Sequence, residues 1–268
     1  MDISFIILSW NSERFIDGCL RSIFACLQGT GLRYEVLVVD NGSSDNSPAI
    51  LRSLATAFPG VVRPVFLDEN KGTTVSRNLA LRAASGRCLC VMDSDVQLTQ
   101  GVFPHLIDKL EADSGIGMVV PQILYPGGYW QKSIDQFPTV ARKIVRLFCL
   151  RKIEQQEGAV ELEGTRERDV DYAISAFWLM KRELLESVGL LDEKIFYAPE
   201  DVDYCLRIWQ AGYAIRYVPA VNVVHHTQEI SRGFQLNRAK FSHIAGLVYL
   251  FCKHRYCFRR PVFNRGYS

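Results

Sequence analysis

The chain lacks any long hydrophobic run. The longest in its second half, "IAGLVYLFC" from Ile244 to Cys252, is less than half of the ~20 residues that a bilayer-spanning helix needs. Its first residues, MDISFIILSW, carry no basic group ahead of the apolar stretch, so they do not read as a secretory signal. Charge of one sign is also missing. With 31 Lys and Arg against 29 Asp and Glu the net charge is +2, which argues against binding nucleic acid through bulk charge. Eight cysteines are scattered without a CxxC pair or a regular spacing. A disulfide framework and a structural zinc site are therefore not expected, and a reducing cytoplasm is. No repeat and no low-complexity linker interrupts the chain.

What is present is ordinary globular material, with 48% hydrophobic and 22% charged residues. The first half alternates two patterns. "ISFIILSW" (Ile3–Trp10), "YEVLVVD" (Tyr34–Asp40) and "RCLCVM" (Arg87–Met92) are apolar runs typical of buried strands, and "VVRPVFL" between them reads as a less regular strand. Between them lie helical patterns: one from Ser12 with Phe15, Ile16, Cys19, Leu20, Ile23, Phe24 and Leu27 on one stripe, "SPAILRSLATAF" with proline near its start, and "TVSRNLALRAAS" closed by Gly86. This alternation predicts an α/β fold with a mostly parallel, Rossmann-like sheet and helices on both faces. In the second half "GMVVP" and "DYAISAFWLMKR" predict strands, Phe137–Lys152 an apolar and basic helix, and Glu154–Arg168 a polar loop. "EDVDYCLRIWQAG" predicts a helix with Val202, Leu206 and Trp209 inward, "IRYVPAVNVVHH" an extended segment, and the residues from Phe234 a basic helical appendage.

In open α/β sheets ligands bind beyond the carboxyl ends of the strands. Three polar clusters fall there: Asp40 with "NGSSD", Asn70–Gly72, and Asp93–Asp95. In a locally extended chain residues i and i+2 face the same way, so Asp93 and Asp95 can share one ligand. Two adjacent carboxylates attract a hard divalent cation, which in turn bridges a diphosphate. A second acidic group, Glu200, Asp201 and Asp203, stands where a helix begins after Pro199. Acids suit the positive end of a helix dipole, so a purely structural role is the competing reading.

The order "SFIILSWN…LVVDNGSSDNS…NKG…SRNLALRAASG…VMDSD…EDVDYCLR" resembles family 2 glycosyltransferases of the GT-A fold, from about Ile3 to Ser231. The subset with "SWN" and "VDNGSSD" resembles bacterial enzymes that add sugars, often rhamnose, to lipid-linked or surface polysaccharides. The resemblance implies that Asp40 reads the nucleotide base, Asp93 contacts the nucleoside, Asp95 holds Mg2+ or Mn2+, and Asp201 is the catalytic base of a metal-dependent hexosyltransferase. A carboxylate can take the proton of an attacking hydroxyl, and a metal can neutralise a leaving diphosphate. With base and leaving group on opposite faces of the sugar, the displacement inverts the anomeric centre. Glu200 then orients the base or touches the acceptor, and Asp203 is a solvated residue pairing with Arg207. Trp10 and Asn11 line the base pocket, mainly through backbone. Lys71 and Arg77 meet phosphate or nucleoside, or are surface charge; both readings stay open. An Asx-turn is the rival for Asp40 and Asn41. His225 ranks ahead of His226 as a further metal ligand.

The expected organisation is a catalytic domain over residues 1–233, with a nucleotide-sugar half (1–97) and an acceptor half (98–233), and a basic amphipathic tail over 234–268. The expected partners are a nucleoside-diphosphate sugar and a glycan or lipid-linked saccharide acceptor, with no nucleic acid. "ARKIVRLFCLRK" (Ala141–Lys152) and Arg238–Arg260 mix apolar and basic residues. They either pack on the enzyme or meet an anionic membrane, which would put a cytoplasmic protein on the inner face of the plasma membrane. Three rivals remain: a nucleotidyltransferase, a non-catalytic nucleotide-sugar-binding protein and a glycosidase. The first would need a glycine-rich loop after the first strand, where this chain has "SWNSERF". The second should have lost Asp93, Asp95 and Asp201, and the third has no use for the cluster at Asp40.

Overall fold

The computed structural model describes residues 1–141, 164–227 and 236–263, the side chains of 236–243 excepted. The predicted helix Phe137–Lys152 and loop Glu154–Arg168 lie largely outside these residues.

Four strands open the chain: β1 (Ile3–Ser9), β2 (Tyr34–Asp40), β3 (Val62–Phe66) and β4 (Cys88–Asp93). Helices α1 (Ile16–Leu27), α2 (Ser47–Ala57) and α3 (Thr73–Ala83) connect them. The strands lie parallel in the order β3-β2-β1-β4, with Ile3 beside both Tyr34 and Cys88. The alternation of β1 explains the two layers. Ile3, Phe5 and Ile7 pack with α1 and α2, whereas Ile6 packs with Ala80 and Leu81 of α3 on the other face. Pro64 sits in β3, which among the described residues pairs only with β2, so its missing N–H breaks no ladder.

The second half extends the sheet and changes its sense. β5 (Val96–Leu98), α4 (Val102–Glu111), β6 (Ile116–Leu124), and the short β7 (Ile134–Asp135), β8 (Arg168–Asp169) and β9 (Tyr172–Ala173) precede β10 (Phe177–Lys181). The predicted strand "DYAISAFWLMKR" is thus two strands, and β10 runs antiparallel between β4 and β6. A short helix α5 (Leu184–Ser187) leads to α6 (Glu200–Gln210), β11 (Ala214–His225) and α7 (Leu236–His254). β11 pairs with β6 in parallel, with a register shift between Val218 and Asn222. The result is a mixed and mostly parallel sheet between helical layers, as the alternation of the first half implied. Among the described residues no helix is long and apolar enough to cross a membrane.

Two local readings are corrected. The first helix starts at Ile16, because the amides of Phe15 and Ile16 both bond the carbonyl of Ser12 in a turn. Gly86 does not cap α3, whose C-cap Ala84 is extended. A Cβ at Gly86 would stand 2.5 Å from the Ser4 amide, so glycine is there for the close approach of β1.

Candidate functional site

The first four strands end on one edge of the sheet, and the connection from β3 crosses to the far side of β1 to reach β4. The crevice at that reversal is where such sheets bind ligands. On its β2 side, Asp40 is buried and accepts the Ser43 amide at 3.1 Å and the Ser9 hydroxyl at 3.5 Å. The bond to Ser43 spans three residues, one more than the Asx-turn expected at Asp40, and Asn41 Oδ1 accepts from Lys71 instead. Asn11 has φ +48°, a left-handed backbone that asparagine tolerates. Its amide bonds the Ser43 hydroxyl and its Oδ1 accepts the Ser44 amide, both at 2.9 Å. Trp10 beside it is half-buried. Asn41 ties this loop to the next, donating to Asn70 Oδ1 at 2.9 Å and accepting the Lys71 amide at 2.8 Å. The Lys71 side chain is half-exposed and paired with Glu69 at 2.5 Å. Gly72, at φ +85°, lets the loop touch the Phe196 carbonyl and ring, and the Thr73 amide donates to that carbonyl at 2.7 Å.

On the β4 side Asp93, Asp95 and His225 each offer a ligand atom within 4.8 Å of the others. Pairing of Val96 with His225 across β5 and β11 brings the histidine to the aspartates from 130 residues away in the chain. His225 Nε2 lies 3.2 Å from Asp95 Oδ1, and Nδ1 lies 3.0 Å from Gln131 Oε1. A glutamine oxygen can only accept, so Nδ1 donates to Gln131, and Nε2 donates to the Asp95 carboxylate when the ring is protonated; loss of that second proton frees the Nε2 lone pair for a cation. Burial disfavours the charged imidazole, but the hydrogen bond and charge of Asp95 outweigh it and raise the His225 pKa. Two carboxylates and a neutral imidazole form a donor set that fits Mn2+ or Mg2+. His226 is the other histidine of the pair. Its ring packs on Phe15, and its amide bonds the Asp95 carbonyl at 2.9 Å.

Arg77 links the two acidic groups. Its side chain is 1% exposed, so the surface-charge reading is excluded. It donates to Asp93 at 2.5 Å, to Glu200 at 3.3 Å and to the Ser175 carbonyl at 3.1 Å. Burial pushes the Asp93 carboxyl up, Arg77 pulls it down, and Asp95 adds to the rise that remains. Glu200, the first residue of α6, is buried and also accepts the Ser175 hydroxyl at 2.9 Å. Burial and the neighbouring Asp201 raise its pKa to about 8, against Arg77 and Ser175. Asp201 is half-buried, and its Oδ1 accepts the amide of the next residue, Val202, at 2.8 Å. Asp203 is not the solvated residue expected. It is fully buried and binds Lys253 and His254 of α7 as well as Arg207.

Gln131 and Ser175 were invisible in the sequence, since neither stands in a recognisable motif. The burial of Arg77 had a faint signal. The first two turns of α3 read Thr73, Thr74, Ser76, Arg77 and Asn78, polar residues where an apolar stripe is due, and all five are buried.

Residues 4–189 match the family model described as "Glycosyl transferase family 2". The chain is 27% identical over 242 residues to the N-acetylglucosaminyl-diphospho-decaprenol L-rhamnosyltransferase of Mycobacterium tuberculosis, covering 85% of this chain and 78% of that protein. The mannosyltransferase PcManGT from Pyrobaculum calidifontis, solved with GDP-Man and Mn2+, superposes with a TM-score of 0.65 at 22% identity. GalNAc-T7, solved with UDP, GalNAc and Mn2+, does so with a TM-score of 0.65 at 16% identity. The two superpositions cover 97% and 96% of this chain but only 65% and 55% of those solved chains.

Proposed function

The chain belongs to glycosyl transferase family 2, and from that premise we propose that it is an inverting, metal-dependent glycosyltransferase. It moves a sugar from a nucleoside diphosphate to a hydroxyl of a lipid-linked or surface polysaccharide precursor. The observation that carries this reading is the pairing of a divalent-metal donor set, Asp93, Asp95 and His225, with the Glu200–Asp201 pair through one buried arginine. The acceptor class is supported by the mycobacterial relative, whose name describes a rhamnosyl transfer involving a diphospho-decaprenol saccharide.

Asp95 and His225, with Asp93 beside them, would hold the cation. When bound, it supplies positive charge to the diphosphate as that group leaves. Asp40, Trp10 and Asn11 would line the base pocket, and Lys71 would approach the phosphates. Asp201 accepts the proton of the acceptor hydroxyl, whose oxygen bonds the anomeric carbon while the bond from that carbon to the diphosphate oxygen breaks. Glu200, whose carboxyl burial pushes up to about 8, holds its own proton near neutral pH and adds no second negative charge beside Asp201. Exposed Phe196 and Tyr197, just before the pair, offer flat apolar surface for an acceptor sugar.

A donor screen tests the reading. UDP-, GDP- and dTDP-sugars are incubated with Mg2+ or Mn2+ and release of nucleoside diphosphate is measured. One donor class should turn over, and full activity in excess EDTA would sink the metal assignment. The outer face of α7, with Ile244 and Val248 exposed and Arg255 at its end, supports peripheral contact with an anionic cytoplasmic membrane face. Anionic vesicles at low salt should capture the protein, and failure to do so removes that contact.

A further inference from the structure

Asp203 lies two residues beyond Asp201 on α6 and has no exposure to solvent. A buried carboxylate needs several donors, and three side chains supply them. Arg207 Nε is at 2.9 Å on the same helix, while Lys253 Nζ at 2.7 Å and His254 Nε2 at 2.8 Å come from α7. Gln210 Nε2 stands 3.3 Å from His254 Nδ1. An amide nitrogen can only donate, so Nδ1 accepts and Nε2 donates to Asp203. Lys253 also binds Asp192 at 2.7 Å, and Tyr249 donates to the same carboxylate at 2.8 Å. One lysine therefore joins both ends of the segment 192–203, which contains the Glu200–Asp201 pair.

Backbone packing repeats the pattern. Gly246 lies in the interior of α7, where glycine weakens a helix. A Cβ there would collide with the Ala198 carbonyl and stand 2.8 Å from Pro199 Cδ. Leu250, one turn on, is fully buried with Val202, Tyr204 and Leu206. The apolar and ionic contacts of α7 thus converge on the start of α6.

We propose that α7 is a positioning element for the catalytic carboxylates: Lys253 and His254 grip Asp203, Gly246 seats the helix on Ala198–Pro199, and together they fix the turn that presents Glu200 and Asp201. This rests on the reading of Asp201 as the base. Buried ion clusters can often be exchanged for apolar side chains without loss of stability, so what such a cluster adds is one defined geometry. A catalytic group displaced by about 1 Å can lose ~100-fold in rate.

The test uses the full chain and two readouts. One is the kcat and donor KM for nucleoside diphosphate release from the UDP-, GDP- or dTDP-sugar that turns over with Mn2+. The other is hydrogen exchange over residues 198–205. Lys253→Met keeps the length of the side chain and removes its charge. It should lower kcat by ~10–100-fold with donor KM held within about twofold, and speed exchange over 198–205 but not over β1 and β2. Lys253→Arg should restore most of kcat. If Lys253→Met does not fold, Gly246→Ala decides, because alanine strengthens α7 itself while pushing it off Ala198. An unchanged kcat with unchanged exchange over 198–205 overturns the proposal, as does a donor KM that moves in step with kcat. Asp201→Asn at the wild-type rate would remove the base assignment alone, while exchange over 198–205 would still report whether α7 holds that turn.

Discussion

His225 presents its Nε2 to Asp95 Oδ1 at 3.2 Å while Gln131 fixes its other nitrogen. If the three groups Asp93, Asp95 and His225 hold the cation, His225→Ala and Asp95→Ala should each weaken Mn2+ binding by at least ~10-fold, the scale seen even for outer-shell changes at metal sites. His226→Ala should leave it unchanged, since that ring packs on Phe15. Titration of each variant with Mn2+ followed by water-proton relaxation checks this directly. Equal losses at both histidines would mean that the loss is structural.

Asp201→Asn keeps shape and removes the proton acceptor. Transfer should fall by ~10²–10⁴-fold, the usual contribution of a general base, while affinity for the nucleoside diphosphate stays within about twofold. Calorimetric titration of the nucleotide beside the rate assay separates the two effects.

Glu200 makes a pH prediction with a definite sign. Its folded pKa, about 8, is above the ordinary 4.5. Between those values the folded state holds a proton that the unfolded chain has lost, so this group makes stability fall as pH rises from about 4.5 to about 8. Glu200→Gln mimics the protonated form. It should flatten that part of the stability curve, retain most activity at pH 7, and abolish the fall in rate expected of the wild type above about pH 8. Thermal melts and rates across pH 5–9 check both; an unchanged alkaline limb would show that another group titrates there.

At the opposite edge of the sheet Glu35 is buried and holds β1, β2 and the turn after α3 together. It accepts the Ser4 hydroxyl at 2.7 Å, the Ser85 amide at 2.7 Å and Arg63 at 2.6 Å. Burial alone would raise its pKa, but the bonds from Ser85, Ser4 and Arg63 win and lower it. A depressed carboxyl contributes stability that is present above its unfolded pKa and lost as pH falls through the folded one. Glu35→Ala should cost about 2–3 kcal/mol at pH 7 by stranding those donors, and less in acid. Urea denaturation at pH 7 and pH 3 measures the difference; an equal loss at both would assign the effect to packing.

The sequence by itself determined the strands β1 to β4, the helices between them and the polar clusters at their carboxyl ends. Those features are local: an apolar run of strand length, a 3.6-residue stripe and a turn residue each act within a few positions. Asp93, Asp95 and Asp201 were legible for the same reason, because each sits at the end of a readable element. Only the tertiary structure decided which charges meet. Arg77 finds Glu200 from 123 residues away, Gln131 finds His225 across 94, and Asp203 meets Lys253 and His254 because α7 returns to pack beside it. A charged side chain has the same local signature whether water or a distant partner satisfies it. Its role is fixed by the desolvation that packing imposes and by the partner that packing supplies.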